Sequence, residues 1–331
     1  MVLASEPELS QALAEIHVNH STSTRTSSKH SRKQPHSKIH TLLPPRYLAL
    51  CGGGIRGICH IGVLQTLEKY KLLSCLQEVL GVSAGALFGL LVCLRYRISE
   101  IEDLTLRFDF SLLQSKDPDM ALLFPITFGI DAGESLEKFV ISLLKQKGFG
   151  PSATFADLEK AGCMRFRCFA SEMETASIKE FSAKKTPNAS VVFATRASMS
   201  IPFFYTPVRD PETGHMLLDG GLLQSCPIVY LTPEEIESSL GIVFEYPLSK
   251  SFESLQEIAG GIIDIVAYSR YREIRSRYPS KLLVLPYPGI SWLHFEASTE
   301  IRKQMIQIAS KKTELFLNTP SYRPMRRFSV S

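Results

Sequence analysis

Three short stretches hold residue types that could do chemistry. The first, Tyr47 to Gly62, reads YLALCGGGIRGICHIG. A short apolar run enters a glycine cluster, and Gly52, Gly54 and Gly57 fit the G-x-G-x-x-G spacing that cradles a pyrophosphate when it opens a helix after a strand. The second, EVLGVSAG, ends in Gly81-Val82-Ser83-Ala84-Gly85, a G-x-S-x-G pattern. The third, LLDGGL, places Asp219 before Gly220 and Gly221. The second stretch bears on how the first is read. A dinucleotide site wants an acidic residue about 20 positions on, at the end of the next strand, to bind a ribose hydroxyl. Here that strand ends on Ser83, and Glu78, which has about the right spacing, precedes the strand core.

A G-x-S-x-G between a strand and a helix is a nucleophile elbow, a turn so tight that glycines must flank the serine, leaving its hydroxyl exposed at the helix N-terminus. The helix dipole there favours the negative charge that develops during acyl transfer. The glycine loop then takes a different task. The amides of Gly52, Gly53 and Gly54, unobstructed by side chains, could donate to a tetrahedral oxyanion. Arg56 either lends positive potential or pairs with a carboxylate to hold the loop. A serine also needs a base. The folded body offers His60 in a helix, where it reads as a packing residue, His215 in the turn-like DPETGHM, and His294, late enough for the chain order Ser, Asp, His. Asp219, ending a short apolar strand, is the sharper candidate. A carboxylate whose pKa is raised by burial can act as general base directly, although Asp-Gly is also an ordinary turn signal.

Positioning these groups requires elements on either side of each motif. Hydrophobic periodicity predicts strands over 47–51 and 78–82, with later strands around 164–170, 178–181, 216–218, 242–246 and 282–285. It predicts helices over 58–70, 84–95, 99–108, 134–145, 252–277 and 298–317, the one at 84–95 apolar enough to be buried on most sides. Strands and helices alternating with short connections imply a three-layer α/β/α domain with a largely parallel central sheet. No internal repeat or proline-rich linker divides the body, which favours one domain over two.

The three motifs, G-G-G-x-R-G at 52–57, G-x-S-x-G at 81–85 and D-G-G at 219–221, together resemble the patatin-like phospholipases in order and spacing. ATRASMSIPFFYTPV, Ala194 to Val208, is similar to the family's segment between nucleophile and aspartate, and CHIGVLQTLEK to its first helix. The resemblance covers residues 46–230 well, the C-terminal helices loosely, and the arm before Arg46 not at all. It implies a patatin-like acyl hydrolase domain over 46–318, with a catalytic core at 46–230 and C-terminal strands and helices at 231–318. It further implies a Ser83–Asp219 dyad without histidine, an oxyanion hole from Gly52, Gly53 and Gly54 with Arg56 beside it, and motif glycines Gly57, Gly81, Gly85, Gly220 and Gly221. The implied chemistry is hydrolysis of lipid acyl esters with no metal and no cofactor. Gly221 stands where many members have alanine, which is also small.

Composition fits an enzyme of this kind. The 331 residues are 44% hydrophobic and 21% charged, a globular composition. The net charge of +4 is concentrated at the ends: residues 1–46 and 319–331 carry +3 each, leaving −2 between them. Basicity confined to tails gives little support to a nucleic-acid function. Seven cysteines without a C-x-x-C pair suit buried residues of a reducing compartment better than disulfides or a zinc site. No signal peptide is evident, and the longest apolar run, AGALFGLLVCL, falls well short of the roughly 20 residues that span a bilayer. A cytoplasmic protein in peripheral contact with membranes or aggregated lipid is therefore expected.

Residues 1–45 read as a Ser/Thr/His/Lys-rich disordered arm, among whose histidines only His36 and His40 stand at i, i+4, with no repeat of that spacing on a helix face to hold a metal. The basic tail at 319–331 includes Arg326-Arg327-Phe328-Ser329, similar to a basic-directed kinase site. Met120 to Ile130, after Asp117-Pro-Asp119, reads as an exposed loop in which Leu122, Leu123 and Phe124 form a lid or lipid-facing rim. The alternatives to an acyl hydrolase are a catalytically silent lipid-binding module of the same fold and, more weakly, a nucleotide-binding oxidoreductase.

Overall fold

The structure is a computed structural model that describes residues 44–113, 119–245, 255–287 and 296–319. In chain order, its first half runs β1 (Tyr47–Leu50), α1 (Cys59–Lys69), β2 (Glu78–Val82), α2 (Ala84–Cys93), α3 (Ile98–Arg107), α4 (Asp119–Thr127), β3 (Gly129–Asp131), α5 (Glu134–Gln146) and α6 (Phe155–Lys160). There follow β4 (Arg165–Glu172), β5 (Ser177–Ser182), α7 (Val191–Ser198), β6 (Phe203–Tyr205), β7 (Val208–Arg209) and β8 (Met216–Asp219). The chain closes with α8 (Pro233–Glu237), β9 (Ser239–Phe244), α9 (Leu255–Arg277), β10 (Leu282–Leu285) and α10 (Thr299–Leu317).

Eight strands make one sheet in the order β10-β9-β1-β2-β4-β8-β7, with β5 also paired to β4. The pairs from β10 through β9, β1 and β2 to β4 are parallel, and β5, β7 and β8 add antiparallel contacts beyond them. The central strands read as unbroken apolar runs because both of their faces are covered: every residue of β2 and β9 is buried. Helix α2 packs on β2, β4 and β1, α7 on β4 and β8 with α5 behind it, and α1 on α10. All ten residues of α2, AGALFGLLVC, are buried, as its lack of a polar face requires. The result is the three-layer α/β/α arrangement with a largely parallel sheet.

Register sets the level of the functional loops. Leu50 of β1 lies opposite Gly81 of β2, so the glycine loop after β1 and the serine after β2 leave the same edge of the sheet. Val82 pairs with Phe169 of β4, and the next β4 residue, Ala170, pairs with Asp219 of antiparallel β8. Ser83 and Asp219 therefore flank β4 at one height, at the carboxyl ends of the parallel strands where open α/β sheets bind ligands.

Some elements differ from the sequence expectation. β9 starts at Ser239 rather than 242, because Ser239, Leu240 and Gly241 pair with Tyr47, Leu48 and Ala49 of β1 despite their weak strand character. The expected loop over 120–130 is helix α4 followed by β3, which pairs in parallel with β6. Leu122 and Leu123 are exposed there and Phe124 is half-buried. The amino-terminal arm up to residue 43, the tail from residue 320 and His294 lie outside the described residues. Among the described residues, no helix is long and apolar enough to cross a membrane.

Candidate active site

Ser83 sits between β2 and α2 with φ 55° and ψ −126°. A left-handed φ is strained for a serine, of order 1–3 kcal/mol, and persists only where the surroundings over-determine it. They do so here. The Ser83 N–H donates to Ser198 Oγ at 3.0 Å, and that hydroxyl donates to the Phe169 carbonyl at 2.7 Å. The flanking glycines permit the close approach: a Cβ at Gly81 would lie 2.2 Å from the Gly85 carbonyl oxygen, and one at Gly85 2.2 Å from that of Leu50. The serine side chain is thereby held at the N-cap of α2.

Asp219 is fixed through four contacts. Its N–H donates to the Ser200 carbonyl at 2.8 Å, and its own carbonyl accepts from Ser171 Oγ at 2.9 Å. Oδ1 accepts the Gly221 N–H at 2.7 Å, and Oδ2 accepts the Ser83 hydroxyl at 2.5 Å. Beyond it the chain crosses so near β4 that a Cβ at Gly220 would lie 2.3 Å from the Phe169 carbonyl oxygen. Burial pushes the Asp219 carboxyl up to about 6, against the opposing pull of the Ser83 and Gly221 hydrogen bonds. Desolvation disfavours the charged form, and the two donors recover only part of that cost.

The glycine loop borders the same cavity. Gly52, Gly53, Gly54 and Arg56 line it with Ser83, Asp219 and Gly221. One detail departs from the oxyanion expectation: the Gly52 N–H is donated to the Ser225 carbonyl at 3.1 Å. Gly52 provides clearance as well, since a Cβ there would come 3.0 Å from Ser83 Cβ. Gly57 lets the turn after the loop close on α2, where a Cβ would lie 2.7 Å from that of Ala84. Arg56 is buried; its Nε donates to the Gly53 carbonyl at 3.3 Å and its guanidinium lies 5.8 Å from the ring centres of both Phe244 and Tyr287. It braces the loop from within.

The two histidines among the described residues are placed elsewhere. His60 is buried between Phe88 and Phe244 with Nε2 3.0 Å from the Cys51 carbonyl oxygen, and burial lowers its pKa to about 4. His215 faces Glu172 at 3.1 Å in the hairpin between β7 and β8. Glu78, the acid at dinucleotide spacing, pairs with Arg167 at 2.8 Å at the far end of β2 from Ser83. Among the described residues, no group of three or more His, Cys, Asp or Glu side chains is placed to hold a metal ion. Burial raises the Cys59 and Cys226 thiols to about 12, which leaves them neutral.

Other contributors escape sequence reasoning. Ser198 acts through its hydroxyl and Ser200 through its backbone carbonyl, and their only sequence signal is small polar residues at the end of a buried helix. Arg196, fully buried, donates to Ser200 Oγ at 2.7 Å and to the carbonyls of Ala132 and Thr206 at 3.0 and 2.8 Å. It thus pins the segment that receives the Asp219 amide. Ile263, Asp264 and Ala267 of α9 complete the cavity wall opposite Ile201 and Pro202. A second, mostly apolar cavity shares Gly54, Ser83 and Ile201 with the first and lies among Ile55, Leu87, Phe88, Phe110 and Met199. A buried hydroxyl, a hydrogen-bonded carboxylate and an apolar recess on one nucleophile can perform acyl transfer on an ester with a hydrocarbon chain.

Comparison with known proteins points the same way. A family model described as patatin-like phospholipase matches residues 48–232. The uncharacterized protein YqhO of Bacillus subtilis (strain 168) is 27% identical over 293 residues, 82% of this chain and 97% of that protein. Neuropathy target esterase sws of Drosophila persimilis is 29% identical over 182 residues, which are 54% of this chain but only 11% of that much longer protein. Among solved structures, VipD from Legionella pneumophila superposes with a TM-score of 0.57 at 16% identity, over 83% of this chain and 67% of that one. That last likeness is one of fold.

Proposed function

Because this chain belongs to the patatin-like phospholipase family, we propose that it is a serine-dependent lipid acyl hydrolase of the phospholipase A type, working through a Ser83–Asp219 dyad. The observation that carries the reading is the 2.5 Å hydrogen bond from the Ser83 hydroxyl to Asp219 Oδ2, made inside the shared cavity.

The Asp219 carboxylate takes the Ser83 proton as Oγ attacks the ester carbonyl carbon, and the carbonyl oxygen becomes an oxyanion. The amides of Gly53, Gly54 and Ala84, the last at the start of α2, hold that charge. Collapse breaks the bond to the alcohol; Asp219, now a carboxylic acid, protonates the departing alkoxide, and the acyl group stays on Ser83. Water then attacks the acyl-serine while Asp219 takes its proton. The fatty acid leaves and the proton returns to Ser83. A carboxyl raised to about 6 is ionised at neutral pH and basic enough to serve, near the optimum for a general base. The apolar recess beside Ser83 takes the acyl chain. The protein meets its substrate in a membrane or lipid aggregate as a peripheral enzyme, and its free, mostly buried cysteines support a reducing compartment such as the cytoplasm. Fatty acid release from phospholipid vesicles tests the reading: Ser83→Ala and Asp219→Asn abolish it while both variants keep the wild-type circular dichroism spectrum. A folded wild type that binds lipid and releases nothing would make the chain a silent lipid-binding module.

A further inference from the structure

Thirteen large apolar side chains are exposed among the described residues, and ten of them fall in two places. The first is α4 with the β3/β6 ribbon, where Leu122, Leu123, Ile126, Phe128, Ile130 and Phe203 face solvent, Leu122 at 79% and Ile126 at 74%. The sequence of α4, DMALLFPIT, is almost wholly apolar, yet none of its described side chains is buried. A helix that is apolar all round needs an apolar medium on its outer side, either core or lipid. The second place is α9, where Ile258, Ile262, Ile265 and Val266 are exposed.

Both places adjoin residues that line the cavity at Ser83. Phe203 follows Pro202, which lines that cavity, and Tyr205 of the same strand lines the inner apolar recess. On the other side, Ile263, Asp264 and Ala267 of α9 line the cavity while their neighbours Ile262, Ile265 and Val266 point outward. On α9 the exposed residues Ile258, Ile262, Ile265, Ser269 and Arg272 recur at helical spacing, so one stripe runs from apolar to basic. Arg275 and Arg277 are exposed in the last turn. An apolar patch of this extent marks an interaction surface, and an apolar stripe that ends in an arginine suits an interface where hydrocarbon gives way to anionic headgroups.

We infer that α4 with β3/β6 and the outer stripe of α9 form one docking surface for an anionic phospholipid bilayer, seating the cavity mouth on the membrane. The apolar side chains enter the acyl boundary, Arg272 at the end of the stripe meets the headgroups beside the exposed Glu273, and the ester linkage arrives at Ser83 without crossing open water. The inference rests on the proposed lipid substrate, so its test reads docking and chemistry apart.

The test uses the full chain with vesicles of phosphatidylcholine alone or mixed with phosphatidylserine. Sedimentation gives the partition coefficient, and hydrolysis is read on vesicle lipid and on a water-soluble short-chain ester. Leu122→Ser with Ile126→Ser, and separately Ile262→Ser with Ile265→Ser, each lower partitioning and vesicle hydrolysis at least about tenfold and leave the soluble-ester rate unchanged. Arg272→Glu weakens binding only to vesicles that contain phosphatidylserine. Ser83→Ala binds like wild type and hydrolyses neither substrate; if instead it hydrolyses, the catalytic reading falls and docking stands. Unchanged partitioning in both double variants overturns the inference. So does a wild-type dimer that the same substitutions split into monomers, since a second copy would then cover the face.

Discussion

Ser83 and Asp219 are 136 positions apart in the chain and share a 2.5 Å hydrogen bond because they flank β4 at the level of Ala170. Each end of that bond is over-determined by backbone contacts, the serine through Ser198 and the aspartate through Ser200, Ser171 and Gly221. This pairing sets most of the expected behaviour below.

Activity should depend on a carboxylate that titrates near pH 6. Asp219 must be ionised to take the serine proton, and burial has raised it to about 6, so kcat/KM falls about tenfold per pH unit below that value and is flat above it. The profile is read on a soluble ester. His215→Asn leaves it in place, and a shift of the acid limb in that variant would assign the titration to histidine.

The same raised pKa costs stability. The native carboxyl binds its proton more tightly than the unfolded one, so the cost is absent below the ordinary value of 3.8, grows as pH rises towards 6 and is constant above. Asp219→Asn removes the buried charge and is expected to stabilise the fold by at most about 3 kcal/mol at pH 7, with activity lost. Thermal melts at pH 7 and pH 4 check the sign: the advantage of the variant shrinks at the lower pH.

Ser198 is a positioning residue. Ser198→Ala leaves the buried Ser83 N–H without its acceptor, at an expected cost of about 1–3 kcal/mol in stability. Loosening of the strained elbow should lower kcat about tenfold or more with KM unchanged. A rise in KM at constant kcat would show that Ser198 acts on substrate binding instead.

Gly52→Ala should cost more than a loop substitution ordinarily does. The new Cβ would sit 3.0 Å from Ser83 Cβ, forcing either the serine or the oxyanion loop to move. The contact asks for a shift of a few tenths of an ångström, smaller than the 1 Å misplacement that costs about a hundredfold, so kcat is expected to fall by about tenfold. Denaturant melts and single-turnover rates separate misplacement from unfolding.

The proposed site is legible in the sequence where it is local. A tight strand-to-helix turn demands Gly81, Ser83 and Gly85 within five residues, and Asp219 announces itself by the glycines that let the chain turn away over β4. Long-range pairing was not legible. The Gly52 amide is committed to Ser225, a residue 173 positions away, and nothing near Gly52 signals it. Likewise the helix expected over 252–277 carries no signal that singles out Ile263 or Ala267, and only the packing of α9 beside Ser83 makes them cavity wall. The apolar run after Asp119 reads as a loop on its Asp117-Pro-Asp119 turn signal, yet a helix forms there with Pro125 inside it, so the exposure of the run is legible in the sequence and its secondary structure is not.

The most direct measurement is the mass of the intact protein after reaction with a fluorophosphonate, followed by peptide mapping. Wild type gains one phosphonyl group on Ser83, Asp219→Asn reacts at least about a hundredfold more slowly, and His60→Gln, His215→Asn and His294→Ala label like wild type. Labelling at another serine, or labelling of Ser83 that survives loss of Asp219 and fails on loss of a histidine, would contradict the dyad.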